Sequence, residues 1–238
     1  MSDLEKKNFT PYGTDPEKDK MVKSNDWGDR FEMAKEGYGL DVLIKDKDWK
    51  VRRAVADQGY GLDILVNDKN WVVRHAVAKQ GYSLNILIGD EDCDVRAAVA
   101  EQGYGLDILI NDESWEVRTA VADQGYGLDV LINDKDWIVR EAVAEQGYGL
   151  DTLINDKNWY VRKAVKNYLT SHNLTIEQWK SNQDLSKTNI INQAKNAIND
   201  GNIDIKNVAD NIKSTKSILN DSINKTNKTN EIKLFKLD

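Results

Sequence analysis

Cys93, His75 and His172 are the only thiol and imidazole groups in this chain of 238 residues. A cysteine and a histidine on neighbouring helices would supply two members of a nucleophile–base set. The third orienting group and an oxyanion site are missing, so no catalytic residue is assigned and the chain reads as non-enzymatic. A single cysteine excludes an internal disulfide and any multi-cysteine zinc or iron–sulfur site. Two histidines exclude a histidine-rich metal centre. The run DEDCD at 90–94 has the carboxylate density of a calcium loop but not the EF-hand spacing. Calcium also needs six to eight converging oxygens. In that run Asp92 is needed as a helix cap and Asp90 as an arginine partner, so neither a metal nor a cofactor is expected.

Two other residue types recur with enough regularity to suggest binding. Arginine stands at 30, 52, 74, 96, 118, 140 and 162, and tryptophan at 27, 49, 71, 115, 137 and 159. The arginines could read phosphate. Most follow an aspartate by six positions, as in Asp46/Arg52, Asp68/Arg74 and Asp112/Arg118, so a structural ladder of bidentate pairs is the expected role. The tryptophans could grip an extended ligand, as aromatics do at binding hot spots. Packing across the joins between repeats, shielding the Arg–Asp row, is the expected role for a large aromatic at a fixed repeat position.

Both series step by 22 residues, as do the tyrosines from Tyr38 to Tyr148, so the chain is an internal repeat. One unit reads DESWEVRTAVADQGYGLDVLIN (112–133); a degenerate first copy covers 24–45 and a truncated last copy 156–167. The residue before each tryptophan slot is Asp, Asn or Ser, a preferred N-cap. Gly59, Gly81, Gly103, Gly125 and Gly147 stand where a left-handed C′ residue is wanted. Each unit therefore predicts a helix of about ten residues, roughly three turns, followed by one or two α or 3₁₀ turns over the YGLDxLI half. Such units bury an apolar face only by stacking. On a helical wheel of the 112–133 copy, Val117, Val121 and Gln124 point inward. Ala120 and Ala122 flank them and permit close approach. Glu116, Thr119 and Asp123 form an exposed stripe. The predicted fold is all-α: a right-handed solenoid of six to seven repeats with a helical C-terminal extension.

The run VRRAVADQGYGLDILVND (51–68) resembles the leucine-rich repeat variant family, whose units share a V-R-x-A-V-A core and a later L-x-x-L. The resemblance covers roughly 24–167 and implies a short α-helix and a 3₁₀ helix per repeat, a superhelical stack, and binding or scaffolding without shared catalytic residues. The Asp–Arg spacing is similar to the ladder of short HEAT-like repeats. Gly-Tyr-Gly stands where that family carries prolines, and one cysteine cannot supply the iron–sulfur domain that accompanies some members.

Three regions are expected: a charged segment at 1–23, mobile or a short cap; the repeats at 24–167; and an Asn/Lys-rich helical region at 168–238 that caps the stack or self-associates. Thr175-Ile-Glu-Gln178 fits a capping box. Ile190, Ile191, Ala194, Ala197 and Ile198 form one apolar stripe, and Ile205, Val208, Ala209, Ile212, Ile218 and Leu219 another. Residues 46–167 hold 22 acidic and 15 basic side chains, a net of −7, and 168–238 hold 8 and 10, a net of +2. An acidic solenoid is a poor duplex binder. Nucleic acid remains open only for the Lys/Asn-rich tail, and an oligomeric role for its helices. The first residues lack the apolar stretch of a secretory leader and no run spans a membrane, so a cytoplasmic protein is expected. The leading expectation is a protein-interaction module. Its partner surface is the variable stripe: Lys50, Arg53, Val72, His75, Lys79, Asp94, Glu116, Ile138, Glu141, Tyr160 and Lys163. The irregular stretch His75, Ser83, Asn85, Gly89 and Cys93, where cysteine replaces tryptophan, is a candidate pocket or bend.

Overall fold

Asp26, Asp48, Asn70, Asp92, Ser114, Asp136 and Asn158 each turn a side-chain oxygen to the backbone N–H two residues on, starting a helix at the tryptophan slot. At the other end of each first helix the glycine closes a Schellman turn. Gly59 N donates to Ala56 O and Tyr60 N to Val55 O, with Gly59 at φ +78°. In the computed structural model, which describes residues 9–199, the helices are α1 (Pro16–Val22), α2 (Trp27–Lys35), α3 (Leu40–Leu43), α4 (Trp49–Asp57), α5 (Leu62–Leu65), α6 (Trp71–Lys79), α7 (Leu84–Leu87), α8 (Cys93–Glu101), α9 (Leu106–Leu109), α10 (Trp115–Asp123), α11 (Leu128–Leu131), α12 (Trp137–Glu145), α13 (Leu150–Leu153), α14 (Trp159–Ser171) and α15 (Ile176–Asn199). The second element of each repeat is a four-residue α-helix rather than a 3₁₀ turn. Strands are absent among the described residues apart from a single bridge between Thr10 and Tyr38.

The chain divides into two compact units, Met1–Ala142 and Val143–Asp238, and the division falls inside α12. In the first unit, α2, α4, α6, α8 and α10 pack each on the next in a solenoid-like, all-helical stack. Val51, Val55 and Ala56, with their equivalents on α6, α8 and α10, are fully buried, and so is the second leucine of each short helix, from Leu43 to Leu131. The alanines on the flanks of the first helices are buried too, as the wheel predicts, because neighbouring helices come close there.

Arginine bridges join the repeats. Arg30, Arg52, Arg74, Arg96 and Arg118 each donate Nε and Nη2 to the two oxygens of Asp46, Asp68, Asp90, Asp112 and Asp134 respectively, at 2.6–3.0 Å. Every pair is buried. The ladder is therefore real, but its carboxylate lies 16 residues after the arginine, in the next repeat. The aspartate six residues before supplies only its carbonyl: Arg52 Nη1 donates to Asp46 O at 2.7 Å. Gln124 is a second correction. It is exposed at the helix end, and its equivalents Gln58 and Gln80 donate Nε2 back to Lys35 O and Asp57 O of the preceding repeat.

The N-terminal segment from Phe9 onward is an ordered cap. Asp15 caps α1, and the Tyr38 hydroxyl, which donates to Asp19 Oδ1 at 2.7 Å, accepts from the backbone N–H of Asp15. In the second unit α15 starts on the expected capping box: Thr175 N donates to Gln178 Oε1 and Gln178 N to Thr175 Oγ1. Trp179 is buried and donates Nε1 to Gly147 O at 3.2 Å. The apolar stripe from Ile205 to Leu219 lies outside the described residues.

A left-handed residue opens each short helix, and its neighbour shows why glycine usually holds the place. A Cβ on Gly61, Gly105 or Gly127 would overlap Cδ1 of Ile44, Ile88 or Ile110. Ser83 takes this position at φ +50°, and the residue at the isoleucine place is Val66, which has no Cδ1. Val66→Ile should cost about 1–3 kcal/mol through overpacking, and Ser83→Gly should cancel that cost. Urea midpoints of the two single variants and the double variant measure the coupling.

A pH dependence follows from the ladder. Burial works to raise the Asp68, Asp112 and Asp134 carboxyls. The hydrogen bonds from their arginines and from backbone N–H groups outweigh it, so all three lie below the ordinary carboxylate value. Their stabilisation is fully present above the unfolded value near 3.9 and is lost as pH falls through the folded values. Asp112→Ala should cost about 3–5 kcal/mol at neutral pH by stranding the Arg96 charge. It should also flatten the acid limb of a stability–pH curve measured by urea unfolding.

Candidate functional site

Burial of one face of each first helix leaves the opposite face to carry whatever differs between copies. Lys50, Arg53 and Asp57 on α4, Val72, His75 and Lys79 on α6, and Asp94 and Glu101 on α8 occupy it, ranging from half-buried to exposed. Glu116, Thr119 and Asp123 continue it on α10, and Ile138 and Glu141, both half-buried, on α12. Arg53 pairs with Asp57 along α4 at 3.5 Å, and Lys79 reaches across to Glu101 of the next repeat at 2.5 Å. The Oγ1 of Thr119 is buried without a hydrogen-bond partner. The second unit holds the other two stripe residues: Tyr160 is 50% exposed, and the Lys163 ammonium lies 5.0 Å from the Trp159 ring centre.

His75 is the centre of the charged region. Burial, then the Lys79 charge, push its pKa below the ordinary imidazole value, against the pull of Glu101 and Asp94; Arg53 adds to the lowering. The imidazole is therefore neutral at pH 7 and carries one donor and one acceptor nitrogen. Burial also raises the Asp57 carboxyl, although the Arg53 and His75 charges oppose it. It raises that of Asp123 as well, helped by Glu101. These groups make a face suited to hydrogen bonding and charge pairing. Asp92, Cys93 and Asp94 bring one donor atom each within 4.8 Å of one another, but Asp92 Oδ1 already accepts the Asp94 N–H as the cap of α8.

The tryptophans are not the buried covers that their spacing suggests. Trp27, Trp71, Trp115 and Trp159 are 37–55% exposed. Trp71 meets His75 edge to face at 6.5 Å, and the Lys50 ammonium sits 3.9 Å over the Trp27 ring. They border the charged face and leave part of each ring open to a ligand. A row of aliphatic side chains escaped the sequence reading: Val42, Ile64, Ile86, Ile108 and Val130 are 43–63% exposed. The third position of L-D/N-x-L, apolar in five copies, carries its signal in the sequence. A shallow groove of about 430 Å³ lies at Ile44–Lys69, lined by Lys45, Lys47, Ile64 and Lys69. Among the described residues no helix is long and apolar enough to cross a membrane.

An NMR titration of the His75 ring should give a midpoint below 6.5. Lys79→Ala should raise it, and Glu101→Gln should lower it. Because folding favours neutral His75, its contribution to stability is present above the ordinary imidazole value and is lost as pH falls toward the folded one.

No known protein family, no curated protein sequence and no solved structure matches the chain.

Proposed function

We propose that this chain is a non-enzymatic protein-interaction module, acting in the cytoplasm, that binds another protein through the face carried by α4, α6, α8 and α10. One observation supports the reading above others. The buried positions are nearly identical from copy to copy, while Arg53, His75, Ala97 and Thr119 occupy one repeat position on the open face. Uniform packing holds the helices, and the differences fall where a partner would read them. Val72 adds an apolar contact to an otherwise polar face, the combination usual at specific interfaces. The motif resemblance to leucine-rich repeat variant and HEAT-like repeats, whose role is binding and scaffolding, points the same way. A packed stack moves little on binding, so affinity would rest on a preorganised surface.

A second reading places nucleic acid on the C-terminal region, where the net charge turns from −7 over 46–167 to +2 over 168–238. Capture of partners from source-cell lysate, with and without nuclease, separates the two. A discrete protein retained after nuclease is the expected result, and recovery that vanishes with nuclease would move the function to the tail. Val72→Asp with His75→Glu should abolish capture while far-UV circular dichroism stays unchanged. Undiminished capture by this folded variant would remove the assignment of this face.

A further inference from the structure

The repeat arginines Arg30, Arg52, Arg74, Arg96, Arg118 and Arg140 are buried, and Arg162 alone of the series is not. Its guanidinium is nevertheless held in the ladder manner. Nη1 donates to Asp156 O at 2.6 Å and to Lys157 O at 3.0 Å. In five earlier repeats the same anchoring aims Nε and Nη2 at the two oxygens of an aspartate. At Arg162 no carboxylate takes those donors among the described residues. The cause lies in the sequence. Sixteen residues on stands Gln178, whose side chain is engaged with Thr175 at the start of α15. The segment that would have carried the aspartate is replaced by the turn His172-Asn173-Leu174-Thr175.

The surroundings are cationic. Helix α14 contains no acidic residue, and Lys157, Lys163 and Lys166 are all exposed around the same stretch. An arginine tethered by Nη1 has already lost much of its side-chain freedom, so a planar two-oxygen acceptor can pair with it at low entropic cost. A partner carboxylate fits best when shaped like the chain's own ladder group, an aspartate in a turn whose Oδ1 also accepts the N–H two residues on, as Asp68 does from Asn70.

We propose that Arg162, with Lys157, Lys163 and Lys166, forms an open receptor for an aspartate carboxylate presented by an acidic segment of a partner protein. This site belongs to the second compact unit and stands apart from the reading of α4, α6, α8 and α10, so either can fail alone.

The test uses the full chain labelled with ¹⁵N-arginine, with the Nε–Hε resonance of Arg162 assigned from Arg162→Lys. The probe is an acetylated, amidated peptide of residues 150–159, which carries the chain's own ladder aspartate Asp156, and the control is that peptide with Asp156→Asn. In the free chain the Arg162 signal should exchange quickly with water, unlike the ladder arginines. The aspartate peptide should move it toward the ladder positions and the asparagine peptide should not. Arg162→Lys, which keeps the charge but loses the fork, should weaken binding of the aspartate peptide about tenfold, the loss of one bidentate geometry. A slowly exchanging, already shifted signal in the free chain would overturn the proposal, because the fork would be filled from within. Equal response to the two peptides, no response at millimolar peptide, or a larger response to inorganic phosphate would also overturn it.

Discussion

The buried guanidinium–carboxylate bridge between successive repeats is the interaction on which the first unit depends. Each ladder aspartate serves three partners. Asp68 takes Arg52 of the preceding repeat on its two side-chain oxygens, accepts the Asn70 N–H, and gives its carbonyl to Arg74 of its own repeat. One residue thus fixes the join behind it, the turn that starts the next helix, and the arginine that makes the join ahead. Burial makes both charges expensive to leave alone, so neither partner can change independently. This accounts for the arginine at the bridged copies, from Arg30 to Arg118, beside exposed neighbours that differ.

Close approach imposes the second constraint. The fully buried valines and alanines leave little room between first helices, and the short second helices are set against the preceding repeat by a residue with no Cβ beside a long isoleucine. Copy three shows that this is a matched contact rather than a demand for glycine as such. Serine stands at the left-handed position and valine replaces isoleucine opposite it. The irregularity around His75, Ser83 and Cys93 is thus absorbed locally in at least one place by a compensating loss of a methyl group.

With the interior so constrained, chemical variety is confined to the exposed sides. One side carries a neutral histidine among paired charges and part-exposed indole rings. In the second unit, the last arginine of the series meets no carboxylate among the described residues. Both features are by-products of a repeating architecture: an open helix face, and a bridge made from Arg30 through Arg118 that no carboxylate among the described residues completes at Arg162.

What is local to one repeat is legible in the amino-acid order alone. The caps at Asp48 or Asn70, the Schellman glycines, the 22-residue period and the inward valines follow from hydrogen bonds and helical angles within one repeat. Of the proposed site, the variable stripe could be read the same way, because a wheel separates the face of Val51 from that of Arg53. What depends on the offset between neighbours is set by packing. It paired Arg52 with Asp68 rather than Asp46, turned Gln58 back to the carbonyl of Lys35, left the tryptophans half open, and exposed the aliphatic row from Val42 to Val130. A wheel gives the direction of a side chain but not the distance to the next helix. In a stack of identical units, that distance selects which copy of a repeated residue becomes the partner.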